Sequence, residues 1–348
     1  VARHGATRLL RPHAARARDQ AQDQRGGALQ EAQAARARKL TTPKRFRNLD
    51  PAHTPHGREV FRWAILDRIT GKRKVAPPGP PAPWVGADLR AIQDKTTPRV
   101  TWIGHSSFLA TLAERSLLID PVFSPKIAYV IPRYGKPGLT PDQLPPQDAL
   151  LVTHNHYDHL DAPSVLALRR DLPVFTPEGL GAWFRKRGFT QVTDLPWWQR
   201  ATLGPLTITC VPARHWSRRR TADVNRSHWC GFVIEGGGKT VYHAGDSAAF
   251  SGFAMIAERF PHIDLALLPI GAYAPAWFME QQHMNPEQAL DAFATLGARA
   301  MVPMHWGTVQ LTDEPLLEPI ERLTRAWESR TGRRGELKPL PVGGSVRL

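Results

Sequence analysis

One string constrains this chain more than any other: Thr153-His154-Asn155-His156-Tyr157-Asp158-His159-Leu160, entered directly from the apolar run Ala149 to Thr153. A buried strand that empties into such a loop is the mark of an α/β protein carrying chemistry at its strand ends. In an extended or loosely turned backbone His154 and His156 project to the same side, while Asp158 and His159 reach a neighbouring point as the chain turns. One loop can therefore feed two metal positions. Imidazole and carboxylate without thiolate suit a hydrolytic Zn²⁺ site that keeps a position open for water. The chain has only two cysteines, Cys210 and Cys230, too few for a thiolate site or a disulfide framework and in keeping with a reducing, cytoplasmic setting. Both are expected to be buried free thiols.

Two metals need further ligands, and the same pattern, a polar residue just past an apolar strand, recurs downstream. His215 follows Leu206 to Pro212, Asp246 follows Val241-Tyr242-His243-Ala244-Gly245, and His305 follows Ala300 to Met304. Around them, strands are expected at Val100 to Ile103, Ser107 to Leu112, Leu117 to Asp120, Cys230 to Glu235, Thr240 to His243 and Ile263 to Ile270. Helices are expected at Ala162 to Arg170 behind an Asp161 cap, about Glu178 to Arg187, Phe253 to Phe260, Pro286 to Leu296 between Asn285 and Gly297, and near Glu314 to Ser329. An opening β-meander followed by alternating helices and strands implies an α/β fold of two sheets with helices outside them.

Residues 99–348 form the expected catalytic domain. Prolines 77, 78, 80, 81 and 83 make residues 75–95 unsuited to helix or central strand, so residues 41–98 are expected to wrap the surface. The net charge of +15 is unevenly spread: residues 1–50 hold twelve Lys/Arg against four acids and so carry +8 of it. Residues 1–40 read as a mobile basic tail with no apolar face to bury. A transit-like leader, a polyanion-binding arm and a non-native start all fit its composition and its initial Val. Because so much charge lies in that tail, no specific nucleic-acid partner is expected. No apolar run reaches the roughly 18 residues of a spanning helix, which excludes a helical integral membrane protein.

The metal loop, with Thr101-Trp102-Ile103-Gly104-His105-Ser106, Pro212-Ala213-Arg214-His215-Trp216, Tyr242-His243-Ala244-Gly245-Asp246-Ser247, Gln282-His283-Met284-Asn285-Pro286 and Met304-His305-Trp306-Gly307, resembles the metallo-β-lactamase fold hydrolases. Within them the chain is most similar to the branch of N-acylphosphatidylethanolamine-hydrolysing phospholipase D, with its bacterial UlaG-like and RomA-type relatives. The likeness runs from Lys44-Arg45-Phe46-Arg47-Asn48 to about Thr308. It implies an αββα sandwich, two mixed β-sheets flanked by helices. It also implies two Zn²⁺ per chain, with Mn²⁺ or Fe²⁺ as alternatives: one ion on His154, His156 and His215, the other on Asp158, His159 and His305, and Asp246 bridging both. A water shared between such ions is ionised near neutrality and acts as the nucleophile.

The implied catalytic residues are Asp158, Asp246 and His283, and the implied substrate contacts are Gln282, His283 and His105. His283 would bind a phosphoryl oxygen or protonate the leaving alkoxide, while His105 would line the site or make a structural hydrogen bond. The aromatic residues Trp197, Trp198, Trp216, Trp229, Trp277 and Phe278 are candidates for an acyl pocket or for packing, and Arg218-Arg219-Arg220 for a phosphate grip or a solvated loop. The expected activity is a metal-dependent phosphodiesterase acting on N-acylphosphatidylethanolamine-like lipids, cytoplasmic and peripheral to the membrane. The alternatives are a lactonase or a non-lipid phosphodiesterase acting on a sugar-phosphate lactone, a cyclic phosphate or RNA. A non-enzymatic scaffold is disfavoured, because no ligand position holds an apolar residue.

Overall fold

The computed structural model describes residues 45–55 and 57–348; the basic tail assigned to residues 1–40 lies outside them. Two seven-stranded mixed sheets form the body of the unit Arg45–Leu348. In spatial order the first sheet is Ser345–Arg347, Arg99–Gly104, Ser107–Leu112, Arg115–Ile119, Ala149–Leu151, Val174–Pro177 and Val192–Leu195. Its opening three-strand meander is antiparallel, and from Arg115–Ile119 onward the strands run parallel. The second sheet is Glu336–Leu337, Ala300–Met304, Leu265–Pro269, Lys239–His243, Gly231–Gly236, Leu206–Val211 and Arg200–Leu203. Its parallel half spans Lys239–His243 to Glu336–Leu337.

The central strands are buried on both faces, and the period of two divides their side chains between two cores. In the first sheet Trp102, Phe108, Ala110, Leu117, Ile119 and Leu151 join the large core shared with the second sheet, through Ile208, Phe232 and Tyr242 among others. Their neighbours Ile103, Leu109, Leu118 and Leu150 point the other way, into a second core with Val165, Leu168 and Phe184 from the flanking helical segments. A sheet covered on both sides reads as continuous apolar runs. The helix Pro286–Leu296 follows its sequence signals closely. Asn285 and Gln288 form a reciprocal capping box, Pro286 takes the first turn, and Gly297 ends the helix at φ 62°.

Other elements depart from expectation for local reasons. The last helix begins at Glu318 rather than near Glu314. Glu314 is instead buried, its carboxylate accepting from the amides of Ala272 and Ala274 and from Thr312 Oγ1, so it braces a loop rather than opening a helix. The helix expected from Glu178 is only Gly181–Arg185, because Gly179 turns at φ 85°, and the one after Asp161 stops at Leu166. Strands Val192–Leu195 and Arg200–Leu203 and a helical run over residues 57–69, with a π-helical turn Arg62–Leu66, have no counterpart in the sequence reading. Cys210 and Cys230 are buried free thiols, as expected.

Candidate metal centre

The seven residues singled out at strand ends all arrive at one place. His154, His156, Asp158 and His159 follow Ala149–Leu151, and His215, Asp246 and His305 follow Leu206–Val211, Lys239–His243 and Ala300–Met304. Two of these approaches need unusual backbone. His305 itself adopts φ 64°, and Gly245 at φ 62° turns the chain into Asp246 where a Cβ would collide with the Cys230 carbonyl.

The donor atoms fall into two groups sharing Asp246. In the first, His154 Nε2 and His215 Nε2 each lie 3.0 Å from His156 Nδ1. In the second, Asp158 Oδ2 lies 3.6 Å from His159 Nε2 and 3.4 Å from His305 Nε2. Asp246 Oδ2 reaches both, at 3.1 Å from His159 Nε2, 3.3 Å from His305 Nε2, 3.8 Å from His215 Nε2 and 3.9 Å from His154 Nε2.

The outward hydrogen bonds explain this orientation. His159 Nδ1 donates to Asp120 Oδ2 at 2.8 Å, His215 Nδ1 to the Gln282 carbonyl at 3.0 Å, and His154 Nδ1 faces Thr153 Oγ1 at 3.1 Å. For His154 and His215 the bond fixes a tautomer whose Nε2 lone pair points inward, while His159 Nε2 faces the Asp246 carboxylate. Polar atoms of the cluster are left over: His156 Nε2, His159 Nε2, both His305 nitrogens and Asp246 Oδ1 are buried without a well-aligned hydrogen-bond partner among the described residues. Three imidazole lone pairs facing one another at 3.0 Å suit a cation between them, since tetrahedral Zn–N bonds separate neighbouring nitrogens by about 3.3 Å. The donor set fits a metal pair.

Electrostatics divide the two groups. Burial, with the neighbouring imidazoles, holds His156 at about 3 and His154 well below its ordinary value, and burial sets His215 at about 4. Burial also opposes charge on His159 and His305, but Asp246 and Asp158 overcome it, raising His159 well above the usual range and His305 to about 9. For Asp158 and Asp246 burial is likewise outweighed, chiefly by His159, and both carboxyls sit well below their ordinary range.

His105 and His283 occupy different places. His105, at φ 54°, is buried behind Asp158 with Nε2 3.0 Å from Asp158 Oδ2, and it does not line the cavity above the centre. His283 does line that cavity, its ring 5.1 Å from His215 and 5.2 Å from His305 and its Nδ1 without a partner. Gln282 lines it too, while its side-chain amide donates to the His53 carbonyl. The cavity has a volume of about 370 Å³ and largely apolar walls: Pro55, Val60, Trp63, Ile127, Ile131, Phe278, Met279 and Leu311, with Trp216 packed on His156. Of the other aromatic candidates, Trp197, Trp198 and Trp229 pack in the core and Trp277 is exposed.

Three supporting residues escaped the sequence reading. Asp120, fully buried at φ 43°, accepts from the Thr153 amide and hydroxyl as well as from His159. His243 donates to the Ser106 carbonyl and accepts from the Gly245 amide, which shapes the approach to Asp246. Asn48 pairs with both the amide and the carbonyl of His215. A signal existed for Asp120, which sits just past the apolar strand Arg115–Ile119 like the ligands themselves.

An αββα sandwich with a His/Asp centre at its strand ends defines a class of metal-dependent hydrolases. Residues 115–306 match the model of the beta-lactamase superfamily domain, and the chain belongs to that superfamily, as a metal-dependent hydrolase. It is 37% identical over 298 residues to an uncharacterized protein of Mycobacterium tuberculosis, covering 81% of this chain and 78% of that one. It is 31% identical over 308 residues to N-acyl-phosphatidylethanolamine-hydrolyzing phospholipase D 1 of Caenorhabditis elegans, covering 83% and 86%. Among solved structures, Igni18, a metallo hydrolase of the archaeon Ignicoccus hospitalis, aligns with a TM-score of 0.55 at 25% identity over 72% of this chain and 98% of that one.

Proposed function

We propose that the centre binds two ions, Zn²⁺ by preference and Mn²⁺ or Fe²⁺ as alternatives, and hydrolyses the phosphodiester of an N-acylphosphatidylethanolamine-like lipid. His154, His156 and His215 hold one ion, Asp158, His159 and His305 the other, and Asp246 both. Such a pair supplies Lewis acidity and a water ionised near neutral pH. His105 acts through Asp158, fixing the carboxylate it contacts.

The observation that carries the lipid reading is the apolar cavity standing directly on Asp158, Asp246 and His283. Its walls come from the helical run 57–69, the hairpin Lys126–Ile127/Ile131–Pro132 and the helix Ala276–Met279, and these segments also bear exposed apolar side chains: Phe61, Ile65, Leu66, Ile69, Tyr129, Val130 and Trp277. An acyl chain would meet apolar side chains both on these segments and along the cavity wall, and such a surface suits contact with lipid. No helix among the described residues is long and apolar enough to cross a membrane. The C. elegans relative, by its name, acts on such a lipid.

Burial holds His283 well below the ordinary imidazole value, against the pull of Asp246. It is therefore a neutral hydrogen-bond donor, better suited to gripping a phosphoryl oxygen than to delivering a full proton. Metal-replete protein should release phosphatidic acid from N-acylphosphatidylethanolamine in mixed micelles. His283→Ala should keep both metals yet lower diester turnover by about 10²- to 10³-fold, the range for losing one oxyanion donor, with similar losses for alkyl and nitrophenyl leaving groups. Turnover of a lactone with none of any phosphodiester would overturn the reading.

A further inference from the structure

The cavity over the centre is lined by two arginines, Arg218 and Arg219, and they are not equivalent. Arg219 is committed to structure. Its Nη1 donates to the carbonyls of Asn155 and Leu160 at 3.0 and 2.6 Å, its guanidinium lies 4.0 Å above the Tyr157 ring, and Tyr157 Oη donates to its carbonyl at 3.0 Å. It clamps both ends of the loop that carries four of the seven expected ligands. Arg218, half-buried, makes no hydrogen bond or ion pair among the described residues.

The backbone on either side of Arg218 is nevertheless pinned. The Ser217 amide donates to Asn225 Oδ1 at 3.1 Å, and the amides of Arg219 and Arg220 donate to Asp223 Oδ1 at 2.9 and 2.8 Å. The guanidinium thus starts from a fixed point, which lowers the ordering cost of binding through it. Among the described residues the only carboxylates lining the cavity are Asp158 and Asp246, both turned toward the ligand cluster. A half-buried guanidinium with no partner among the described residues, on a cavity with largely apolar walls, is a fork for an anionic oxygen.

We propose that Arg218 is the charge-reading residue of the site, binding a non-bridging oxygen of a phosphodiester monoanion and so selecting it over neutral esters of the same shape. This rests on the phosphodiester reading for its substrate, but its test does not require turnover. Diethyl phosphate and neutral triethyl phosphate should be titrated calorimetrically into the metal-loaded full chain and into its Arg218→Ala and Arg218→Lys variants. Arg218→Ala should weaken diethyl phosphate about 10- to 100-fold, the range of a charge-assisted hydrogen bond, and leave triethyl phosphate unchanged. Arg218→Lys should restore part of the loss. Metal content and melting temperature should match wild type, because Arg218 holds nothing in place.

Equal diethyl phosphate affinity in wild type and Arg218→Ala, or no measurable binding to wild type, would overturn the assignment. So would a variant whose only defect is weaker binding to anionic vesicles, which would make Arg218 a membrane contact. Arg218-dependent binding without turnover of any diester would leave this assignment standing and sink the hydrolytic reading; diester turnover indifferent to Arg218 would do the reverse.

Discussion

The two halves of the candidate metal centre both draw on the loop that carries His154, His156, Asp158 and His159, yet they would meet a cation in opposite states. His154, His156 and His215 are buried among themselves and held neutral, with His156 at about 3 and His215 at about 4. His159 and His305 face Asp158 and Asp246 and hold protons, His305 up to about 9. The difference lies in what each imidazole faces, not in how deeply it is buried. One half is ready for an ion, while the other stores protons that an ion must displace.

The largest effect that could break this picture is at the residue the halves share. Asp246→Ala should strip both ions and abolish turnover, read by elemental analysis beside activity; full metal content with near-normal turnover would show that Asp246 joins nothing. Next, His215→Ala and His305→Ala should each remove about one ion per chain from the two that the ligand count implies. If either removed both, the halves would be one cooperative unit and the comparison would fail.

A smaller loss is expected one layer out. Asp120→Asn keeps the shape but weakens the acceptor for His159, so the second ion should bind about 10- to 100-fold more weakly while the first is unaffected, as metal-chelator competition would resolve. The proton difference gives a pH test. Below pH 9 His305 is protonated, His159 is held protonated as well, and both must lose those protons to bind, so second-ion affinity should rise with pH through neutrality. First-ion affinity should stay flat down to about pH 4, where His215 begins to protonate. Calorimetry in two buffers of different ionisation enthalpy would count the protons released at each step. The smallest effect is expected from deleting residues 1–40, which should leave metal content and turnover of a soluble diester unchanged.

The candidate ligands were readable because the rule that places them is local: an apolar strand, then a polar residue at its end. The rule brought His215, Asp246 and His305 to one cluster, and it applied equally to Asp120, which the sequence reading counted as the last residue of the strand Leu117 to Asp120. Capping was just as local, and Asn285, Pro286, Gln288 and Gly297 delimit their helix as their sequence demands. The last helix, expected near Glu314, starts later because the Glu314 side chain is drawn to the amides of a loop 40 to 42 residues away.

The sequence alone determined which donor types exist and that each would stand at the mouth of a strand, since strand periodicity and end position are properties of a few consecutive residues. Tertiary structure decided everything that depends on distant chain segments meeting. It set which imidazoles face carboxylates and therefore keep their protons, and it put His105 behind Asp158 while His283 faces the cavity. It brought Asn48 to His215, committed Arg219 to the ligand loop while leaving Arg218 without a partner among the described residues, and raised an apolar wall from Pro55, Val60, Trp63, Ile127, Ile131, Phe278 and Met279 beside the centre. Proton affinity and cavity shape are set by neighbours in space, and a linear pattern carries no record of them.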